Sequence, residues 1–144
     1  MLGPSEAGVC RPVCREVLMG FDARERLERF NAGVGVLTEE MPDTIKSMFD
    51  FIGNAASEGA LTPREKELVA IGITMVTRCE DCIAYHTHGA LKAGCTRQEI
   101  LEAAGMAMAF GGGPTLGASA SLLLDALDEF EKDFPRSARP ATPE

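Results

Sequence analysis

Two cysteines and both histidines of the chain lie within ten residues of one another. Cys79 and Cys82 are three apart, and His86 and His88 follow them in the segment CEDCIAYHTH. On a helix that turns by about 100° per residue, Cys79, Cys82 and His86 form one stripe, and His86 lies one turn beyond Cys82. His88 lies about 200° round from His86. The spacing therefore groups three of these four residues on one face and separates His88 from them.

Thiol–disulfide or peroxide chemistry is the first reaction that this face can support. The thiolate is the reactive form of cysteine, and an ordinary thiol with a pKa of about 8.5 is mostly protonated at neutral pH. His86 can take the proton of Cys82, and Glu67, twelve residues upstream of Cys79, can orient the imidazole directly or through water. Once Cys82 has attacked a peroxide and become a sulfenic acid, Cys79 is near enough to resolve it as a disulfide.

The two cysteines compete for the role of nucleophile. Cys79 is nearer to the helix N-terminus, where the helix dipole lowers the pKa of a thiol. Glu80 and Asp81 follow it directly, however, and their negative charges oppose a thiolate. Cys82 has His86 one turn away. We therefore predict that Cys82 attacks and that Cys79 is the resolving, more accessible thiol.

Two other interpretations of these residues stay open. Cysteine and histidine are zinc ligands, but four ligands within ten residues of one helix cannot surround an ion, so Cys95 or a second chain would have to complete the site. Cysteine is also among the residues most often buried, so the pair can be part of the core. Glu67 has a plain alternative too, as a solvated residue near a helix start, where its charge suits the dipole. We predict no metal ion and no cofactor, and we expect Cys95 to be buried.

The sequence around this face predicts helices. Apolar residues recur at intervals of three and four, and Thr62–Glu65 and Thr96–Glu99 are capping boxes that mark two helix starts. The segment LVAIGITMV, 68–76, is apolar on every side, which predicts a central, buried helix. The sequence predicts an all-α, single-domain helical bundle of about six helices, over residues 22–33, 40–58, 63–78, 80–93, 96–110 and 114–132.

The C-terminal third contains the clearest interruption of a helical pattern. GGGP, 111–114, predicts a break, after which Pro114 can occupy the first turn of the last helix. We predict that the acidic segment 125–133 forms a solvated face of that helix. The residues that we expect to point inward are Leu116, Ala120, Leu123, Leu124 and Leu127.

The two ends of the chain differ from the middle. Gly and Pro interrupt residues 1–20, and residues 135–144 are rich in Pro. The sequence therefore predicts a flexible leader over 1–20, a helical domain over 21–134 and a disordered tail over 135–144.

Composition and charge argue against several classes of function. The net charge is −8 and no cluster of Lys and Arg is present, so nucleic acid and an anionic membrane surface are poor partners. No uninterrupted apolar run reaches the roughly 18–20 residues of a membrane helix, and the N-terminus lacks the pattern of a secretory signal. Five cysteines, an odd number, fit poorly with a closed disulfide framework. We expect a cytoplasmic protein with reduced thiols.

Glu67, Cys79, Cys82 and His86 together form the pattern E-x11-C-x2-C-x3-H. This pattern resembles the signature of the alkylhydroperoxidase D-like branch of the carboxymuconolactone decarboxylase superfamily, and residues 79–113 are similar to that family's helix–turn–helix core. The resemblance covers roughly residues 35–130. It implies an all-α fold that assembles as a symmetric homo-oligomer, often a trimer or hexamer. It also implies a peroxidase or disulfide reductase that acts on a hydroperoxide and is reduced through lipoyl or thioredoxin-like proteins.

The resemblance also assigns roles to residues. In that family the Glu and His of the motif form a proton relay to the second cysteine, which matches the roles inferred for Glu67, His86 and Cys82. Asp81 is a departure, because a well-studied alkylhydroperoxidase has a histidine there, so a supporting proton donor is missing. The true lactone decarboxylases lack the two-cysteine motif, so a lyase reaction is least favoured. A non-catalytic redox-sensing or metal-binding protein is the main alternative to an enzyme.

Overall fold

The computed structural model describes residues 21–135, and within this range the chain forms six α-helices and no strand. This confirms the all-α prediction and agrees with the predicted number of about six helices. The predicted leader and residues 136–144 of the predicted tail lie outside the described residues. The helices are α1 (Ala23–Glu40), α2 (Pro42–Ala56), α3 (Pro63–Thr77), α4 (Glu80–Lys92), α5 (Arg97–Ala118) and α6 (Leu124–Phe130), with a π-helical segment (Ser119–Leu123) before α6.

Two helices begin at the capping boxes that the sequence predicted. At the start of α3 the Glu65 N–H donates to the Thr62 hydroxyl over 3.3 Å, and the Thr62 N–H donates to the Glu65 carboxylate over 2.7 Å. Thr96 and Glu99 make the same reciprocal pair at the start of α5, over 3.2 and 2.8 Å. These bonds satisfy N–H groups that have no partner inside the helix. They fix the first turns of the two helices that pack most closely in the fold.

Helix α1 is longer than predicted. The sequence suggested an end at residue 33, but α1 continues to Glu40 with Gly33 and Gly35 inside it. Neither glycine adopts a positive φ, so neither provides the left-handed residue that ends a helix. The helix ends at Met41 because a residue before proline is driven out of the helical region, and Met41 has φ −141° and ψ 62°.

The core lies where α3, α4 and α5 meet, and α6 closes it. Helix α3 is buried on one face only, which corrects the prediction of a helix buried all round. Val69 and Ile73, on its other face, are 53% and 59% exposed, because α3 packs mainly against α4 and α5. The largest fully buried side chains of the core are Phe130, Ile71, Met75, Ile83, Leu91, Ile100, Leu123 and Leu127.

A break in α5 divides it into two helical parts. Gly112 has φ 62° and ψ −150°, a conformation outside the helical region, and it kinks the helix within GGGP, where the sequence predicted a break. Pro114 lies two residues later, at the start of the second part. The chain therefore changes direction near residue 112 and continues into the π-helical segment.

The π-helical segment changes which residues of the last helix point inward. Leu123 and Leu127 are buried as predicted, and Leu124 is half-buried, but Leu116 and Ala120 are exposed. A π-helix has more residues per turn than an α-helix, so the faces before and after Ser119–Leu123 no longer align. A helical pattern with one fixed period cannot describe both sides of such a segment.

The acidic residues near α6 are paired rather than only solvated, which corrects a further prediction. Arg24 of α1 donates to two of them over 2.6 and 2.9 Å, and Arg97 of α5 donates to two others over 2.8 and 2.9 Å. These pairs join α1 and α5 to the C-terminal end of the bundle. The four acceptors are Glu129, Asp133, Asp128 and Glu131.

By length and composition alone, the helical stretch Arg97–Phe130 is long and apolar enough to cross a membrane. The stretch contains no uninterrupted apolar run of membrane-spanning length, so the sequence did not indicate it. In this fold Gly112 bends the stretch, and Ile100, Leu123 and Phe130 are buried in the core. These three residues contribute to the core of the bundle, whereas Met106, Phe110 and Leu116 of the same stretch are exposed.

The conformation of Gly112 leads to a first prediction. Gly112→Ala should lower the free energy of unfolding by about 1–3 kcal/mol, because the combination of positive φ with ψ near −150° is almost restricted to glycine. Gly113→Ala is the matched control, since Gly113 has no positive φ and a methyl group there meets no atom within 4 Å. Urea unfolding at equal protein concentration measures both. Equal stabilities of the two variants would contradict the assigned backbone conformation.

Candidate active site

A tight connection between α3 and α4 places the cysteine pair at a helix start. Arg78, with φ 55°, ends α3 in the left-handed conformation, and Cys79 is the N-cap residue of α4. The Cys79 sulfur accepts the Cys82 N–H over 3.3 Å, as a serine or aspartate does in an ordinary cap. Both sulfurs therefore lie at the positive end of the α4 dipole, which favours a thiolate.

Cys79 and Cys82 form a disulfide in the structure, with their Cα atoms 5.1 Å apart. This separation is within the ordinary range for disulfides, so the pair can be oxidised and reduced without unfolding the helix start. Both residues are half-buried, so a small reactant can reach them. The structure thus holds the pair in the state that a two-electron oxidation produces.

Glu67 of α3 and His86 of α4 are joined by a hydrogen bond of 2.9 Å between Oε2 and Nδ1. An ionised carboxylate only accepts, so the Nδ1–H of His86 is the donor. The two side chains are 25% and 28% exposed, which limits competition from water. The bond fixes the orientation of the imidazole and leaves Nε2 as the nitrogen that can take a proton.

The structure joins the four predicted site residues in two pairs. The hydrogen bond joins Glu67 to His86, the disulfide joins Cys79 to Cys82, and the helix places His86 one turn after Cys82. This arrangement has the parts of a proton relay that ends at a thiol. The plain alternative for Glu67, a carboxylate in solvent near a helix start, does not describe its contacts.

Gly89 makes room for the Glu67 carboxylate. A methyl group at Gly89 would lie 3.0 Å from Glu67 Oε1 and 3.1 Å from Oε2 and Cδ, closer than the great majority of real contacts of this kind. Glu67 therefore reaches His86 across the surface of α4 because residue 89 has no side chain. Gly89 could not be identified from the sequence, since its importance depends on the distance between two helices.

Arg26 is a second residue that the sequence analysis missed. Its guanidinium pairs with Glu80 and lies 3.5 Å from Asp81, the two acids that follow Cys79. Sequence reasoning expected these acids to oppose a thiolate. Arg26 offsets part of their negative charge, and its position more than fifty residues earlier in the chain gave no sign of the contact.

A cavity of about 560 Å³ opens between α1 and α4, and Glu67 is the one predicted site residue among the residues that line it. The ring of Tyr85 meets His86 edge to face, with centroids 5.2 Å apart, and meets Phe30 of α1 at 5.6 Å. The size of the cavity suits a small organic molecule. The residues that line it are Leu27, Asn31, Glu67, Tyr85, His88, Gly89, Lys92 and Ala93.

His88 lies apart from the dithiol, as the helical spacing predicted. Its ring meets Phe130 and Phe134 edge to face, each with centroids 5.2 Å apart. Burial lowers the pKa of His88, because the charged imidazolium loses hydration against these rings. Its ring therefore contributes to packing between α4 and the C-terminal end of the bundle.

No residues among 21–135 form a group of three or more Cys, His, Asp or Glu that could hold a metal ion. Cys95, which a zinc site would have needed, is fully buried as expected, and its sulfur donates to the Arg64 carbonyl over 3.6 Å. Cys95 is therefore a core residue, and the described residues contain no ligand set around the cysteine pair.

The fold is all-helical, and the site contains a cysteine pair that forms a disulfide. Comparison with known proteins gives the family of the chain. The sequence profile of the carboxymuconolactone decarboxylase family matches residues 42–125, more than half of the chain. The chain belongs to this family. The match includes all four predicted site residues and Gly89, whereas Arg26 lies before it.

Individual relatives agree with this assignment. The chain is 31% identical over 96 residues to an uncharacterized protein of Cupriavidus necator, covering 67% of this chain and 85% of that one. It is 37% identical over 75 residues to an uncharacterized protein in the cox locus of Paracoccus denitrificans, covering 52% and 67%. The crystal structure of the apo form of a carboxymuconolactone decarboxylase family protein from Legionella pneumophila superposes with a TM-score of 0.72 at 31% identity, covering 75% of this chain and 96% of that one.

The contact between Gly89 and Glu67 leads to a second prediction. Gly89→Ala should displace the carboxylate and weaken its bond to His86, so that the proton of the neutral imidazole is no longer held on Nδ1. Long-range 1H–15N NMR of the imidazole measures which nitrogen carries the proton. We expect a clear Nδ1–H signature in the wild-type protein and a mixed one in Gly89→Ala.

Gly105→Ala is the matched control for this experiment, because it adds the same methyl group inside a helix where no atom lies within 4 Å. Its His86 spectrum should match that of the wild type. In a Glu67→Gln background, Gly89→Ala should change the spectrum far less than in the wild type. An unchanged His86 spectrum in Gly89→Ala would show that residue 89 does not position the carboxylate.

Proposed function

We propose that this protein is a thiol-dependent hydroperoxidase or disulfide reductase of the alkylhydroperoxidase D-like branch of its family. The hydrogen bond between Glu67 and His86, one helical turn from the Cys79–Cys82 pair, is the observation that supports this most. A thiol needs a base to react at neutral pH, and His86 with one nitrogen held by Glu67 is such a base.

In the first step Cys82 loses its proton to Nε2 of His86. The thiolate attacks the outer oxygen of the hydroperoxide, a sulfur–oxygen bond forms and the oxygen–oxygen bond breaks. The leaving alkoxide takes the proton from His86 and departs as an alcohol. Cys82 is then a sulfenic acid, and Glu67 stabilises the imidazolium while it carries the proton.

In the second step Cys79 attacks the sulfur of the Cys82 sulfenic acid. The disulfide forms, and hydroxide leaves with the proton of the Cys79 thiol as water. Two electrons have then passed from the two sulfurs to the peroxide. A dithiol reductant, a lipoyl or thioredoxin-like protein, returns two electrons and two protons by thiol–disulfide exchange. We place this cycle in the cytoplasm, where such reductants keep thiols reduced.

The charges of Glu80 and Asp81 at the start of α4, which Arg26 partly neutralises, affect which substrate is preferred. Asp81 occupies the position where a histidine can supply a further proton, and its contact with Arg26 makes it a charge partner instead. Protonation of the leaving alkoxide then depends on His86 alone. We expect slower turnover with peroxides than a site with two histidines supports, and disulfide exchange, which needs one proton acceptor, to be less affected.

We further propose that the protein acts as a homo-oligomer, a trimer or hexamer. Large apolar side chains are exposed on α2, α3 and α5, and monomeric proteins rarely expose contiguous apolar patches above a few hundred Å². Covering them by association is the ordinary solution for a chain of this size.

The assignment of the two cysteines leads to a third prediction. In a background with Cys10 and Cys14 replaced by serine, Cys82→Ser should abolish peroxide consumption in the presence of a dithiol reductant. Without any reductant, Cys79→Ser should consume about one equivalent and stop at a sulfenic acid on Cys82, which dimedone traps for mass spectrometry. Cys95→Ser, which changes a buried core thiol, is the control and should keep turning over.

Other results would support the other functions. Undiminished turnover by Cys82→Ser would contradict the proposed mechanism. A dithiol that oxidises once but is never turned over would indicate a redox sensor, and stoichiometric zinc that resists mild chelation would indicate a metal-binding protein. Conversion of a lactone acid by a variant without Cys79 and Cys82 would indicate a lyase.

A further inference from the structure

The two sulfurs of the disulfide have different surroundings. The Cys79 sulfur is the N-cap acceptor of α4 and receives the Cys82 N–H over 3.3 Å. It also lies at the start of the helix, where the dipole favours negative charge. Cys82 belongs to the first turn of α4, and His86 follows it by one turn. One sulfur therefore lies where a thiolate is stabilised, and the other belongs to the residue one turn before a base.

The charges on either side of Cys79 balance. Glu80 and Asp81 follow it and oppose a thiolate. Arg26 of α1 pairs with Glu80 and lies 3.5 Å from Asp81. Arg78, directly before Cys79, is exposed and adds a second positive charge. Two positive charges thus accompany the two negative ones, so the cap hydrogen bond and the helix dipole decide in favour of a thiolate on Cys79.

We propose that Cys79 is the leaving group when a thiol reduces the disulfide, and that the reductant therefore bonds to Cys82. This inference rests on the reductive half of the proposed function and specifies which sulfur the reductant attacks. Thiol–disulfide exchange is faster when the departing sulfur is the more stable thiolate. Burial does not separate the two cysteines, since both are half-buried, so the choice depends on which thiolate the site stabilises.

The position of His86 suits an attack on Cys82. The thiol of the reductant loses its proton to Nε2 of His86, and its sulfur bonds to the Cys82 sulfur. The bond between the two protein sulfurs breaks, and Cys79 leaves as a thiolate that keeps the Cys82 N–H as its hydrogen-bond donor. No acid is needed at Cys79, because the departing charge is already stabilised there. An attack on Cys79 would instead expel Cys82, whose sulfur is not the cap acceptor.

The second thiol of the reductant completes the exchange. It attacks the reductant sulfur of the mixed disulfide, the bond to Cys82 breaks, and the Cys82 thiolate takes the proton from His86. The proton of the second thiol goes to the Cys79 thiolate or to solvent. The reductant ends as a disulfide, and two electrons have passed to the protein sulfurs. His86 is thus the base in both halves of the cycle, for Cys82 when a peroxide is reduced and for the incoming thiol when the disulfide is reduced.

Mapping the adduct of a monothiol tests this inference. The protein, with Cys10 and Cys14 replaced by serine, is oxidised with diamide, so the test does not depend on peroxide turnover. It is treated briefly with excess 2-mercaptoethanol and quenched in acid, and fragment-ion mass spectrometry locates the adduct. We expect the adduct on Cys82 to exceed that on Cys79 by roughly fivefold or more. An adduct mainly on Cys79, or shared equally, would overturn the inference and leave the proposed function intact.

Arg26 provides a second measurement, which decides the matter even where the adduct is short-lived. Arg26→Gln leaves Glu80 and Asp81 without their partner, so it should slow reduction by the monothiol by roughly twofold to fivefold. In reduced Cys82→Ser protein, it should also move the alkylation of Cys79 by iodoacetamide to higher pH. A merely structural role of Arg26 would not move this pH profile.

Two matched variants serve as controls. Arg29→Gln removes an exposed arginine from the same helix and should change neither the rate nor the pH profile. Arg26→Lys keeps the charge and should restore most of the rate. An unchanged rate and an unchanged profile in Arg26→Gln would overturn the assignment of Cys79 as the leaving group. A disulfide that no thiol reduces would instead contradict the proposed function itself.

Discussion

The hydrogen bond between Glu67 and His86 is the contact on which the candidate site depends. It crosses from α3 to α4, so it forms only if the two helices pack antiparallel at the correct distance. The short turn through Arg78 and Cys79 reverses the chain, and the missing side chain of Gly89 lets the carboxylate reach the imidazole. The capping box at Thr62 fixes the turn of α3 from which Glu67 projects. Several local features of the sequence thus agree in placing one proton acceptor beside one thiol.

The electrostatics of the dithiol are a balance of opposing charges. The N-terminus of α4 favours a thiolate, whereas Glu80 and Asp81 in its first turn oppose one. Arg26 reduces that opposition from outside the helix, and in the proposed mechanism His86 removes the proton. Reactivity in such a site depends on the placement of protons as well as on net charge. The Glu67–His86 relay is therefore more important here than in a site where cations alone stabilise the thiolate.

Much of the fold and most of the site were predictable because they rest on local chemistry. Capping boxes marked the starts of α3 and α5, and helical spacing separated His88 from the stripe that contains His86. Gly89 and Arg26 were missed because their roles arise from contacts between helices, which no local pattern encodes. The exposed Leu116 was missed because a π-helical segment shifts the helical phase. An apolar segment such as 68–76 also indicates a surface that will be buried. Its sequence does not show whether the same chain or a second chain buries it.

The most direct test of this account is the rate at which one equivalent of peroxide converts the reduced protein to the Cys79–Cys82 disulfide. Thiols are alkylated at set times and the peptides are counted by mass spectrometry, with Cys10 and Cys14 replaced by serine. We expect a fast disulfide in the wild type, a rate lower by roughly tenfold to a hundredfold in Glu67→Gln, and no change in the exposed control Glu58→Gln. Equal rates in the wild type and Glu67→Gln, or two thiols that persist in the wild type, would contradict the central role of the Glu67–His86 bond.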